Sequence, residues 1–564
     1  MKLFLILKLF RIRVGNKTHK TTFDKTIHFN QLAKGADCFK KQAASMIKSL
    51  GMKRTKLTLT TTLLFLLLTG GTAFSQRTTS AKPNIVYILA DDIGYGDIGC
   101  YGQTKIETPN IDALAKAGMS FTQHYALPVC APSRYSLMTG INSGKAFIRG
   151  NDEWEARGDV WNFKAMEANP MLEGQLPIPD STITIAKLLK SRGYKTALVG
   201  KWGLGAPMSA GEPTNQGFDY FYGSLCQRQD HQYYPGHLWE NTYRVPLNNK
   251  IQDPNIKFPA GLDPKDPANY KAYSQKDYAP DLMLDAALRF LDSSSKKPFF
   301  LYYPSPLPHA SMQAPAALVE YYHQKFGDEP PFAGGGYVPS RYPRATHAAM
   351  ITLLDQQVGA LVKKLKEQGV YNNTIIIFSS DNGASNEGGA DCPFFNSNGP
   401  FKSEFGWGKG FLYEGGIREP LVVSWPGKIK AGTKSDLIVA TWDFVPTVCE
   451  ILRMKSPKNI DGISYLPTLL GQEKNQKKHN FLYWEFPQYD GQQAVRLNNW
   501  KGIRFDIKKG NMKIKLFDLN NDIQEQHDVA EHHPDIVKQI EQIMIKEHHT
   551  PAVDGFRMKA LDGE

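Results

Sequence analysis

Three continuous apolar runs constrain the fold more than any other feature of this sequence. They are Asn84-Ile85-Val86-Tyr87-Ile88-Leu89-Ala90, Pro298-Phe299-Phe300-Leu301-Tyr302-Tyr303 and Thr374-Ile375-Ile376-Ile377-Phe378. A run without polar alternation reads as a strand buried on both faces, the pattern of a central parallel strand. The first run ends at Asp91-Asp92, the third at Ser379-Ser380-Asp381-Asn382, and the second is followed by Pro308-His309. A shorter strand, Thr196-Ala197-Leu198-Val199, leads to Lys201. Ligands of α/β sheets collect beyond the C-terminal ends of their strands. Adjacent carboxylates repel there unless a cation neutralises them. Asp91, Asp92, Asp381 and Asn382 offer only hard oxygen donors, which suits Ca²⁺ or Mg²⁺ and not zinc. Solvated acids and a plain Asn-Gly turn would explain either pair alone. The repetition of the pattern at two strand ends favours a metal.

The second constraint is Val129-Cys130-Ala131-Pro132-Ser133-Arg134. Pro132 fixes φ and suits a first helical turn, so Cys130 is expected at a helix N-terminus, with Gly140 ending the helix. Arg134 then lies one turn from Cys130 on the same side, placed to meet an anion. A structural cysteine beside a surface arginine is the plain alternative.

Cys-x-Pro-x-Arg followed by Thr139-Gly140 resembles the signature of the sulfatases, a branch of the alkaline-phosphatase superfamily. The resemblance runs from about Pro83 to the C-terminus and takes in several separate motifs. It implies that a maturation enzyme oxidises Cys130 to formylglycine, whose hydrated aldehyde attacks sulfate esters. It implies a metal site of Asp91, Asp92, Asp381, Asn382 and the modified Cys130. Lys201, within Gly200-Lys201-Trp202-Gly203-Leu204-Gly205, and Lys409, within Gly408-Lys409-Gly410, match lysines that contact the sulfate. His309 matches a histidine near the leaving oxygen. Arg418 reads as structural, paired with a carboxylate near the metal. One position departs from the family: many members carry a histidine where this chain has Gly203, and that histidine deprotonates the sulfated intermediate. His231, in the polar and aromatic segment after Cys226, is the candidate to replace it.

The expected architecture is an alkaline-phosphatase-like α/β sandwich with a large, mostly parallel sheet between helices. After about Gly471 the pattern changes to short strands and a final helix, a small C-terminal α+β part with an antiparallel sheet. This divides the chain into a catalytic part, 76–470, and a C-terminal part, 471–564. Upstream, Met52-Lys53-Arg54-Thr55-Lys56, the apolar Leu57 to Leu68 and Ala73-Phe74-Ser75 read as a secretory signal spanning 52–75, cleaved before Gln76. The apolar run is short for a membrane span. Residues 1–51 lack such logic and read as an upstream extension from a wrongly chosen start.

The formal net charge of +12 suggests nucleic acid or membrane binding, but its distribution does not. Residues 1–75 carry 14 Lys and Arg against two acids, which leaves 53 basic and 53 acidic side chains elsewhere. The six cysteines show neither a zinc spacing nor a disulfide framework. The sequence therefore predicts a secreted or periplasmic enzyme that hydrolyses a sulfate ester, on a sulfated carbohydrate or an aryl sulfate. Its rivals are a phosphatase or phosphonate hydrolase of the same superfamily, and a non-catalytic glycan-binding descendant, which Gly203 alone supports.

Overall fold

The computed structural model describes residues 82–563 apart from Ser295. The expected leader and its cleavage site lie outside them. Among the described residues, no helix is long and apolar enough to cross a membrane.

The first two apolar runs become β1 (Asn84–Ala90) and β7 (Phe299–Pro304), and the third becomes β8 (Thr374–Ser380). They share an eleven-stranded sheet with β2 (Met119–Tyr125), β3 (Lys195–Lys201), β4 (Tyr220–Ser224), β5 (His237–Glu240), β6 (Tyr243–Pro246), β9 (Arg418–Ser424), β10 (Thr433–Ser435) and β11 (Val439–Ala440). Its centre, in the order β8-β1-β7-β3-β4, is parallel throughout. Antiparallel β9 lies beyond β8 on one side, and β5 and β6 close the other. The sheet is thus mixed, with the expected parallel character concentrated where the site lies.

Alternate residues of each central strand feed opposite core layers, as the pleat requires. Val86 and Ile88 pack among helices α1 (Pro109–Ala117), α4 (Ala279–Asp292) and α5 (Pro343–Glu367). Ile85, Tyr87 and Leu89 pack on the other face among α2 (Cys130–Thr139), α3 (Ile185–Ser191) and α6 (Phe444–Ile451). Each such side chain contributes about 1.5–3 kcal/mol of transfer free energy, so these strands are stiff supports for the polar residues at their C-terminal ends. Thr108 stands at the N-cap position of α1, but its side chain does not cap the helix. Thr108 instead bonds Gly99 and Asp112, and Asp355 of α5 accepts the free amides of Asn110 and Ile111.

The second sheet is antiparallel: β12 (Leu482–Phe486), β13 (Gln492–Leu497), β14 (Trp500–Arg504) and β15 (Lys515–Asp518). Helix α7 (Pro534–Glu547) covers one face through Ile540 and Met544. Trp484 and Phe486 on the other face pack with Tyr125, Leu127 and Val129. The small sheet therefore rests on the segment that delivers Cys130.

Candidate active site

Parallel pairing of β8, β1, β7 and β3 brings four strand ends side by side. Asp91-Asp92, Asp381-Asn382, Lys201 and, a short loop later, His309 consequently converge. Helix α2 enters beneath them with Cys130 as its first residue and ends on Gly140 in the left-handed conformation. Among the described residues, one group could gather a metal within 4.8 Å, and it is Asp91, Asp92, Cys130 and His309.

Cys130 is fully buried; its Sγ donates to Asp91 Oδ1 at 3.3 Å and lies 3.8 Å from Lys201 Nζ. Burial, and then the charge of Asp91, pushes the thiol up. Lys201 Nζ lies 2.5 Å from Asp91 Oδ2. Burial alone would raise the Asp91 carboxyl, but Lys201, His309, Arg134 and Lys409 outweigh it and hold the group far below the usual carboxylate range. Asp92 adopts a left-handed φ of 69°, a conformation costing a non-glycine residue about 1–2 kcal/mol. Its carboxylate accepts from Asn382 Nδ2 at 2.7 Å and from Lys409 Nζ at 2.9 Å. His309 Nε2 stands 3.7 Å from the same carboxylate, with Nδ1 against the Ala310 carbonyl.

Arg134 does lie beside Cys130, but the anions it meets are protein carboxylates. Its Nε and Nη2 bond Asp381 Oδ2 at 3.1 and 2.7 Å, Nη2 approaches Asp91 at 3.4 Å, and Nη1 donates to the Lys201 carbonyl at 2.5 Å. Three carboxylates, Asp91, Asp92 and Asp381, thus face three cations, Arg134, Lys201 and Lys409. Burial and then the charge of Asp91 push the Asp381 carboxyl up to about 7. A divalent cation would both favour its ionised form and add the positive charge that an incoming sulfate ester requires. The donor set fits such a cation: every candidate strand-end ligand is an oxygen, and Asn382 Oδ1 is buried without a partner.

His231 lies near the cluster with its ring stacked on His309, centroids 5.3 Å apart, and Tyr337 packs against both rings. Gly203 takes φ of 73°, and a Cβ there would meet Gln227 Nε2 at 2.5 Å. Gln227 thus fills the space of a side chain at 203, and its Nε2 is buried without a partner. Arg418 departs from expectation: it pairs with Glu414 at 3.0 Å and with the Thr122 carbonyl, not with the strand-end carboxylates. Asn151 was not legible as a site residue. Its Oδ1 accepts the Ala131 amide at 2.8 Å and so caps α2 from a distant loop. The described cysteines are all free.

A sulfatase family model matches residues 83–454, and a model of the N-sulphoglucosamine sulphohydrolase C-terminal region matches 403–550. Human arylsulfatase A is 31% identical over 75% of this chain and 75% of its own length. Rat N-acetylgalactosamine-6-sulfatase is 33% identical over 69% of this chain and 66% of its own. The crystal structure of Ps i-CgsB, solved also in complex with k-i-k-neocarrahexaose, superposes with a TM-score of 0.64 at 28% identity, covering 84% of this chain and 94% of that one. Strand-end acids, the Cys130 helix and these matches agree: the chain belongs to the sulfatase family and is a sulfuric ester hydrolase.

Proposed function

We propose that this sulfatase is exported, depends on Ca²⁺ or Mg²⁺ and on a formylglycine made from Cys130, and removes sulfate from a glycan. The observation that carries the reading is the position of Cys130: first residue of its helix, buried, and in contact with both Asp91 and Lys201.

Asp91, Asp92, Asp381, Asn382 and residue 130 would hold the cation. When present, the hydrated aldehyde and the metal supply an attacking hydroxyl and polarise a sulfate oxygen. Lys201 and Lys409 carry the remaining charge neutralisation, because each Nζ lies on a carboxylate lining position 130 and can turn to a sulfate oxygen. Arg134 has no exposed surface; it orients Asp381, Asp91 and the Lys201 backbone. His309 donates Nδ1–H to the Ala310 carbonyl, which turns Nε2 toward Asp92. As the imidazolium, with a second proton on Nε2 held beside the Asp92 carboxylate, it would protonate the departing alcohol. His231, stacked on His309, is the candidate base for release of sulfate from residue 130.

A glycan substrate is supported by the relatives, one named for N-acetylgalactosamine 6-sulfate and another solved with a neocarrahexaose. Export is supported by the basic and apolar leader at 52–75. The division of the chain near residue 470 belongs to the same proposal. The test is turnover of matched 4-nitrophenyl sulfate and phosphate before chelation, after it, and after Ca²⁺ or Mg²⁺ is returned. Sulfate turnover that chelation abolishes and metal restores is expected. Chelator-resistant turnover, or a preference for the phosphate, would overturn the reading.

A further inference from the structure

Beside the Lys409 loop, against the antiparallel sheet, lies a cavity of about 750 Å³. Its walls are aromatic to an unusual degree. One row runs Phe405–Phe411–Tyr489, with ring centroids 6.1 and 5.6 Å apart, and the other runs Trp407–Tyr413–Phe505, at 4.1 and 5.1 Å. Phe405 is 78% exposed and Tyr489 54% exposed, so these two rings are not spent on a core, whereas Tyr413 and Phe505 are half-buried against the core below. Exposed aromatic rings in a concave setting mark a binding surface, and the volume is that of an ordinary ligand site.

Two further features define the occupant. The first is charge. Asp490, Asp506 and Asp528 line the cavity together with Lys513 and Lys515, and Lys509 bonds both Asp490 and Asp506 at 2.8 and 3.0 Å. Acids and bases balance, so the cavity has no surplus attraction for an anion, in contrast to the Lys201 and Lys409 side. The second is continuity. Lys409 lies on the same loop as Phe405, Trp407 and Phe411, with its Nζ on Asp92. Gln492 locks that loop by bonding the Gly410 carbonyl at 2.8 Å and the Leu412 amide at 3.1 Å. The Tyr489 ring lines the cavity and lies over Gly410, where a Cβ would meet it at 3.0 Å, next to Lys409.

We infer that this cavity is a subsite for an uncharged sugar ring of the same glycan whose sulfated ring enters the Cys130 cluster. An apolar sugar face lies on the exposed Phe405 and Tyr489 rings, since Trp407 and Tyr413 stack on each other beneath Lys402 and against Phe505. Ring hydroxyls meet the carboxylates and amides at the rim. The inference rests on the glycan reading above, and it makes the substrate an oligosaccharide with an unsulfated unit near the ester.

The experiment compares kcat/KM of wild type, Phe405→Ala and Phe505→Ala on 4-nitrophenyl sulfate and on a panel of defined sulfated oligosaccharides with their matching monosaccharide sulfates. For the best oligosaccharide, each variant is expected to lose at least tenfold more kcat/KM than on 4-nitrophenyl sulfate, chiefly through KM. Equal losses on both substrates, unchanged oligosaccharide kinetics, or an enzyme that prefers no oligosaccharide to its monosaccharide would overturn the subsite. Absence of turnover on every sulfate ester, the aryl sulfate included, would instead defeat the sulfatase reading on which it rests.

Discussion

Arg134 buries its guanidinium completely and meets three acceptors there: Asp381, Asp91 and the Lys201 carbonyl. An arginine so placed cannot lose a partner cheaply, because the remaining charge stays in a medium that solvates it poorly. Asp381→Ala removes the carboxylate that holds both Nε and Nη2, and truncation of one member of a buried ion pair costs about 3–5 kcal/mol. The variant should therefore shift the urea midpoint strongly downward, with Asp381→Asn shifted less because it keeps shape and an acceptor. A change below about 1 kcal/mol would show that Arg134 finds its stability elsewhere. The chain reveals Arg134 one turn from Cys130, but Asp381 lies 247 residues away, so the identity of its anion is a property of the fold.

At the scale of elements, α2 shows why the nucleophile position is well held. Val129, at its N-cap, offers no side-chain acceptor, and Asn151 supplies one to the Ala131 amide. The Asn151 backbone amide in turn donates to Gln488 Oε1 at 3.2 Å, which links the cap to the turn between β12 and β13. A lost cap costs about 1 kcal/mol. Asn151→Ala should lower stability by about that amount and reduce kcat more than KM, since the residue holds the helix and does not touch substrate. Asn151→Asp, which retains the acceptor, should restore most of both. Equal kcat for Asn151→Ala and wild type would mean that α2 is fixed without this cap. The central strands were legible because runs without alternation have one physical explanation, burial on both faces. The helix start at Cys130 was legible from Pro132 and its end from Gly140. What stayed hidden is non-local: Asn151 capping α2, Asp355 capping α1, and Gln227 filling the space over Gly203. No spacing rule encodes a side chain that arrives from another loop.

At the scale of the molecule, the described residues fall in one compact unit, and a buried ion cluster helps join its two sheets. Glu414, next to β9, bonds Lys501 of β14 at 2.9 Å and Arg418 of β9 at 3.0 Å, and Lys501 also reaches Glu525 at 3.0 Å. Burial would raise the Glu414 carboxyl, but Lys501, Arg418 and Arg496 outweigh it and bring it down to about 2 from 4.5. A depressed carboxylate stabilises the fold fully above its unfolded value and loses that contribution as pH falls through the folded one. The Glu414 contribution should accordingly fade between about pH 4.5 and 2. Glu525, which burial in the same cluster pushes up to about 7, acts in the opposite sense and favours the fold increasingly as pH falls from about 7 to 4.5. Lys501→Met leaves two buried carboxylates short of a cation. It should cost about 3–5 kcal/mol at pH 7, seen as a lower urea midpoint, with a shallower decline on acidification. An unchanged midpoint at pH 7 would contradict the role given to the cluster. The cluster was not readable in advance, since Arg418 looked like a partner of the metal site and Lys501 like one residue of a short strand.

The central claim is that Cys130 acts after conversion to an aldehyde, with the surrounding acids and lysines built to serve an oxygen nucleophile. Mass spectrometry of the Cys130 peptide from enzyme active on a sulfate ester tests it most directly. An aldehyde at position 130, in an amount that tracks specific activity, with Cys130→Ala folded and lowered by several orders of magnitude, is the predicted result. Full activity from a preparation whose position 130 is entirely thiol would contradict it.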